Sequence, residues 1–140
     1  MSQAAFPDGE VTRRILVTFF GVYNELGAGF LESVYGAALA RALTDDGLRV
    51  QRECPIDVFF RGDVVGRFHA DLVVEERVVL ELKVVRALLP EHHAQLINYL
   101  RASSFEIGLL LNFGKTPDFK RLIYSNGRSE ERRVGKECRL

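Results

Sequence analysis

The sequence predicts an α/β domain of the α+β mixed-sheet kind, antiparallel and parallel strands covered by helices, on three observations. Two segments of helical periodicity open the chain. Three strand-like runs joined by very short polar connections follow. A helix started by proline then leads into one more apolar strand. Short connections make neighbouring strands antiparallel, whereas a strand-helix-strand passage returns the chain in parallel.

From Val11 to Glu25, Ile15, Phe19, Val22 and Tyr23 recur at helical spacing, and the glycines of "LGAG" end that helix. A second helix is expected from about Phe30 to Thr44, stopped by Asp45-Asp46-Gly47. The strand-like runs are Arg49 to Phe60, Val64 to Val74 and Arg77 to Val85, connected through Arg61-Gly62-Asp63 and Glu75-Glu76, which makes an antiparallel meander. Pro90 occupies the first turn of a third helix running to about Ala102. A buried strand, "FEIGLLLNF" (Phe105 to Phe113), precedes "GKTPDFKRLIYSN", which offers a short edge element. The order is α, α, β, β, β, α, β, with no internal repeat and no linker.

The 140 residues fit one domain, drawn here as 1–127, and the 47% hydrophobic and 27% charged fractions are ordinary for a globular chain. No apolar run approaches the roughly 20 residues that span a bilayer, and "MSQAAFPDGEVTRR" lacks the marks of a signal peptide, so a cytoplasmic protein without membrane contact is expected. Residues 128–140, "RSEERRVGKECRL", carry charge without apolar periodicity. From Arg128 to Cys138 they resemble the in-frame translation of a sequencing-adapter oligonucleotide, and they are read as an assembly artefact or a charged, disordered tail. That segment holds five basic and three acidic residues out of 19 of each, leaving 14 basic against 16 acidic in the domain. Such a balance lacks the broad basic surface of a nonspecific nucleic-acid binder, so contact with nucleic acid has to be local or metal-assisted. With Cys138 set aside, Cys54 stands alone, which excludes a cysteine-built metal site.

Chemistry emerges when charges are placed on strands. In "VVLELKVV", Val79, Glu81, Lys83 and Val85 share one face and Val78, Leu80, Leu82 and Val84 the other. A central strand would bury Glu81 and Lys83, which is costly unless they are paired or hold a ligand. The preceding strand offers His69, Asp71 and Val73 on one face. A three-residue connection, Glu75-Glu76-Arg77, sets Asp71 opposite Glu81, whereas a two-residue one sets it opposite Leu80. Two converging carboxylates beside a lysine suit Mg²⁺, a hard cation that takes one or two carboxylates plus water and substrate phosphate. Lys83 can orient the attacking water or stabilise the developing charge. The plain alternative is a Glu-Lys pair on a solvated sheet face.

These residues resemble a known family. Asp71, nine intervening residues and then Glu81-Leu82-Lys83 look like the D…(D/E)-x-K signature of the PD-(D/E)xK nuclease superfamily, whose core order α-β-β-β-α-β matches the chain from Phe30 onward. "GFLESVY", with Gly29, Glu32 and Tyr35, resembles the motif of the superfamily's GxxExxY branch, and "FHADLVVEERVVLELKVVRALLPEHHAQLINYL" is similar to that branch throughout. His69 departs from it, standing where that branch has arginine. Gln95 and Tyr99, one helical turn apart with His92 alongside, resemble the Q-x-x-x-Y motif of the superfamily's exonuclease-like members. The resemblance implies a restriction-endonuclease-like fold, catalytic residues Glu32, Asp71, Glu81, Lys83, Gln95 and Tyr99, and a Mg²⁺ or Mn²⁺ ion. It also implies DNA as substrate. A homodimer engaging both strands is compatible with so small a domain. A catalytically silent binding module of the same fold, or a structural subunit, is the alternative.

Glu32 poses its own question, because its surroundings are apolar. With Leu31 at 0° and about 100° per residue, Val34, Tyr35, Ala38 and Ala42 cluster within about 60° of it, and Leu39 and Leu43 fall near about 80° and about 120°. Glu32, at about 100°, is therefore expected at the edge of the core-facing arc, aimed toward Asp71 and Glu81 as a metal ligand, directly or through water. Gly29 would let the helix start close to the sheet, and Tyr35 would brace it.

Overall fold

The structure, a computed structural model, describes residues 8–125; the expected tail at 128–140 lies outside the described residues. Its elements are α1 (Asp8–Leu26), α2 (Glu32–Asp45), β1 (Val50–Phe60), β2 (Asp63–Val74), β3 (Val78–Lys83), α3 (Pro90–Ala102), β4 (Ile107–Asn112) and β5 (Asp118–Ile123). They build one five-stranded sheet in the order β1-β2-β3-β4-β5. The β3–β4 pair is parallel, bridged by α3, and the other neighbours are antiparallel. The expected mixed sheet is present, and the proposed edge element is a full strand, β5. Among the described residues no helix is long and apolar enough to cross a membrane.

Helices cover both faces because β3 and β4 are apolar on both. On one side Ile15, Phe19, Tyr35, Leu39 and Leu43 of α1 and α2 pack on Leu72, Leu80, Leu82, Leu109 and Leu111. On the other, Leu96 and Leu100 of α3 pack with Cys54, Ile56, Ala70, Val73, Val79 and Leu110. The strands between the two cores therefore read as continuous hydrophobic runs, and that left only the charged positions to stand out.

The α1–α2 connection explains the glycines of "LGAG". Gly27, at φ 75°, caps α1 by donating its N–H to the Tyr23 carbonyl at 2.7 Å. Gly29, at φ 111°, occupies a conformation closed to other residues, and Leu31 stays extended, so α2 begins at Glu32 rather than Phe30. Tyr35 is fully buried, stacks on Phe113 with ring centroids 4.4 Å apart, and donates its hydroxyl to the Gly27 carbonyl while accepting from Phe30 N–H at 3.3 Å. It staples the loop to the core.

The β2–β3 connection has three residues, as one of the two registers required. Val74 pairs with Val78, Val73 with Val79 and Leu72 with Leu80, so the next positions outward, Asp71 and Glu81, face each other. Glu75 and Glu76 both adopt φ 55°, a left-handed pair that turns the chain. The Glu75 carboxylate is buried and accepts from Arg49 N at 2.7 Å and Arg49 Nη2 at 3.1 Å, while Glu75 N–H donates to the Arg49 carbonyl at 2.9 Å. Burial pushes this carboxyl up, but the bonds from Arg49 outweigh it and hold the group below its ordinary range. A group with a depressed folded-state pKa stabilises the fold above its unfolded pKa and loses that contribution as pH falls. Glu75→Ala is expected to cost about 1–3 kcal/mol at neutral pH, shrinking toward pH 4, as read by urea unfolding at several pH values.

One irregularity breaks the expected alternation. Ala70 and Val73 both lie in the α3-side core, while Leu72 and Val74 lie in the other, so β2 switches faces at Asp71. The expected grouping of His69, Asp71 and Val73 on one face thus fails. Its partner strand switches too. Cys54 and Ile56 belong to the α3 side although Val50, of the same parity, packs on the α1–α2 side, and between them Glu53 adopts φ 54°. Left-handed backbone at a glutamate inside a strand is strained, and it lies opposite Asp71 in the register set by Arg52↔Leu72 and Cys54↔Ala70.

Candidate active site

The sheet opens where β2 leaves β3, and side chains replace the missing ladder bonds. Leu82 N–H donates to Asp71 Oδ2 at 2.8 Å, and Asp71 N–H donates to Glu81 Oε2 at 3.2 Å. Each carboxylate thus spends one oxygen on the neighbouring strand, fixing the pair, while Asp71 Oδ1 and Glu81 Oε1 have no hydrogen-bond partner among the described residues.

Electrostatics marks the pair as unfavourable in isolation. Glu81 is 7% exposed, and burial followed by the Asp71 charge pushes its carboxyl up to about 8. Burial also raises Asp71, with the Glu53 charge adding to it, against the amide bond from Leu82 and the Lys83 ammonium, which lower it. Glu32 is raised by burial and by Asp71, and lowered by Lys83. Tyr99 is raised by burial, then by Glu81 and Asp71. These couplings bring Glu32, Asp71, Glu81, Lys83 and Tyr99 into one neighbourhood. Gln95 is exposed one turn before Tyr99 and has no hydrogen bond to the carboxylates among the described residues.

Lys83 is positioned by a clamp that the sequence did not signal. Asn112, 1% exposed at the end of β4, accepts from Val85 N–H at 3.0 Å and donates through Nδ2 to the Val85 carbonyl at 3.0 Å, while Phe113 N–H donates to the Lys83 carbonyl at 2.8 Å. Glu53, the second missed residue, adds negative charge beside Asp71 from its strained position. Its only sequence signal is an acidic residue inside an otherwise strand-like run.

The direction of Glu32 is sharper than expected. Leu31 is 75% exposed and Val34 is also exposed, whereas Tyr35, Gly36, Leu39, Ala40 and Leu43 are buried, so the core arc of α2 runs from about 40° to about 180° on the same wheel. Glu32, at about 100°, lies near the middle of that arc rather than at its edge. It is exposed because it starts the helix beyond the packed core, at the open end of the sheet.

A family model described as the PD-(D/E)XK nuclease superfamily matches residues 9–122, nearly all of the described chain. The chain belongs to the PD-(D/E)XK nuclease superfamily. Among solved structures it is similar to the crystal structure of SSO0001, with a TM-score of 0.54 and 20% identity over 77% of this chain. It spans 60% of that protein's length, and the likeness is one of fold. Comparison with curated proteins gives no match.

Whether this PD-(D/E)XK chain suits a divalent cation is decided by its donors. Asp71, half-buried, and Glu81, buried, offer two converging carboxylates, each with an unspent oxygen, and the amide bonds and Lys83 only partly offset the burial that raises both. That is the donor set a hard cation completes with water. Among the described residues no three His, Cys, Asp or Glu side chains form a group able to hold an ion.

Proposed function

We propose that this chain is a metal-dependent nuclease of the GxxExxY branch that hydrolyses DNA phosphodiester bonds, with Asp71 and Glu81 holding Mg²⁺ or Mn²⁺. The observation that carries this reading is the Asp71–Glu81 pair, where burial raises both carboxyls and the Asp71 charge raises Glu81 further, a cost that a bound cation offsets. When bound, the cation would neutralise charge building on the phosphate and acidify a water.

The chain's own residues supply the rest. Lys83, beside both carboxylates, stabilises the developing negative charge or orients the attacking water. Glu32, at the start of α2, binds the metal directly or through water. Gln95 and Tyr99 approach from α3, Gln95 to a water or phosphate and Tyr99 as its support. Cleavage of DNA fits a cytoplasmic setting, and two copies would engage both strands of a duplex.

The test is incubation of the purified chain with linear, nicked, branched and single-stranded DNA in Mg²⁺ or Mn²⁺, beside Asp71→Asn and Lys83→Ala. Cleavage by the wild type, reduced at least about 100-fold in both variants, is expected. Absence of cleavage on every substrate, or persistence in both variants, overturns the proposal.

A further inference from the structure

A pocket of about 540 Å³ opens between the β1–β2 arm and α3, lined by Arg67, Phe68, Asn98, Tyr99 and Arg101 among others, and none of its lining side chains is acidic. Phe68 and Tyr99 stack with centroids 3.5 Å apart and planes 14° from parallel, an aromatic stack at its wall that an incoming ring would extend. Arg67 commits Nε to Asp57 Oδ1 at 2.6 Å, and its terminal nitrogens have no partner among the described residues. The pocket shares Tyr99 with the candidate active site. This side chain contributes to the wall, and its hydroxyl feels the charges of Asp71 and Glu81.

An aromatic face rewards a flat ligand, and an amide beside it can pair with a base edge. A guanidinium at the rim suits a phosphate. Inside a duplex both faces of each base are covered by its neighbours, so an aromatic stack within a pocket of this size favours an unpaired nucleotide. The volume lies within the range of small-ligand sites, enough for one nucleotide and too small for a duplex segment. Resting on the nuclease reading, we propose that this pocket receives an unpaired nucleobase adjacent to the scissile phosphate, so that the substrate is single-stranded DNA or DNA with an unpaired end.

The test uses the full chain carrying Glu81→Gln, which blocks cleavage, and a single-stranded oligodeoxynucleotide containing 2-aminopurine, whose fluorescence is quenched by stacking. The probe is quenched several-fold on binding, and the same sequence as a blunt duplex is not. Adding Phe68→Leu, which keeps apolar volume and removes the ring, weakens single-strand binding on the order of tenfold and restores fluorescence. Asn98→Asp, at an exposed helix position, weakens it without touching the core. Equal, unquenched binding of single strand and duplex overturns the proposal, as does a Phe68→Leu variant with unchanged quenching. The readout is separate from cleavage. Quenching in Glu81→Gln with an inert wild type overturns the nuclease reading and supports the pocket, whereas duplex cleavage without quenching overturns the pocket and supports the nuclease.

Discussion

Glu81→Gln is expected to stabilise the metal-free protein at pH 8 by about 2–4 kcal/mol while abolishing cleavage. The native carboxyl titrates at about 8 rather than the ordinary 4.5, so the folded protein holds a proton there that the unfolded chain releases. The sign follows. A raised folded-state pKa favours the fold below the unfolded value, and the contribution is lost as pH rises from about 4.5 through about 8. Glutamine is neutral at every pH and keeps an oxygen to accept the Asp71 amide, so it removes the loss without breaking that bond. Thermal unfolding in EDTA from pH 5 to pH 8 should show a declining midpoint in the wild type and a flatter one in Glu81→Gln. Mg²⁺ at pH 8 should raise the midpoint of the wild type alone, because a ligand stabilises only the state that binds it. A variant that is less stable than the wild type at pH 8 would mean that the carboxylate is compensated within the protein and has no need of a cation.

Gly114→Ala is expected to cost more than about 3 kcal/mol and to lower activity in the surviving folded fraction. A Cβ there would sit 2.2 Å from the Val85 carbonyl oxygen and 3.2 Å from Asn112 Oδ1. The carbonyl cannot move aside cheaply, since it already accepts from Asn112 Nδ2 and its own residue's N–H is held by Asn112 Oδ1. Relief has to come from the end of β3, and Lys83 lies there. Gly108→Ala is the informative control. Its Cβ would meet Leu96 Cδ2 at 2.9 Å, a side-chain end that can rotate, so a cost nearer about 1 kcal/mol is expected. Denaturant unfolding of both variants decides the point. Equal costs would refute the distinction between yielding and unyielding neighbours.

The fold was legible because its signals are local. The short connections at Arg61-Gly62-Asp63 and Glu75-Glu76-Arg77 dictate the meander, Pro90 marks a helix start, and burial on both faces of β3 leaves Glu81 conspicuous in an apolar run. The direction of α2 was misjudged because Leu31 and Val34, both apolar, were counted as core, whereas the helix begins beyond the sheet's covered area and leaves them in solvent. Asn112 and Glu53 were not legible for a different reason. The role of Asn112 depends on backbone atoms 27 residues away, and a left-handed glutamate inside a strand has no sequence code, since the conformation is imposed by the surrounding sheet. Phe68 escaped notice likewise. Only the face switch at Asp71 turns it toward Tyr99.

The crossed bonds between β2 and β3 have a practical consequence. The amide protons of Asp71 and Leu82 each hang on a carboxylate of the pair, one on Glu81 and the other on Asp71. Each main-chain nitrogen is therefore a spectroscopic antenna for the charge on a specific acid. Their nuclear magnetic resonance shifts should move with proton release and again with cation loading, assigning each event to its own carboxylate without any substrate being cut.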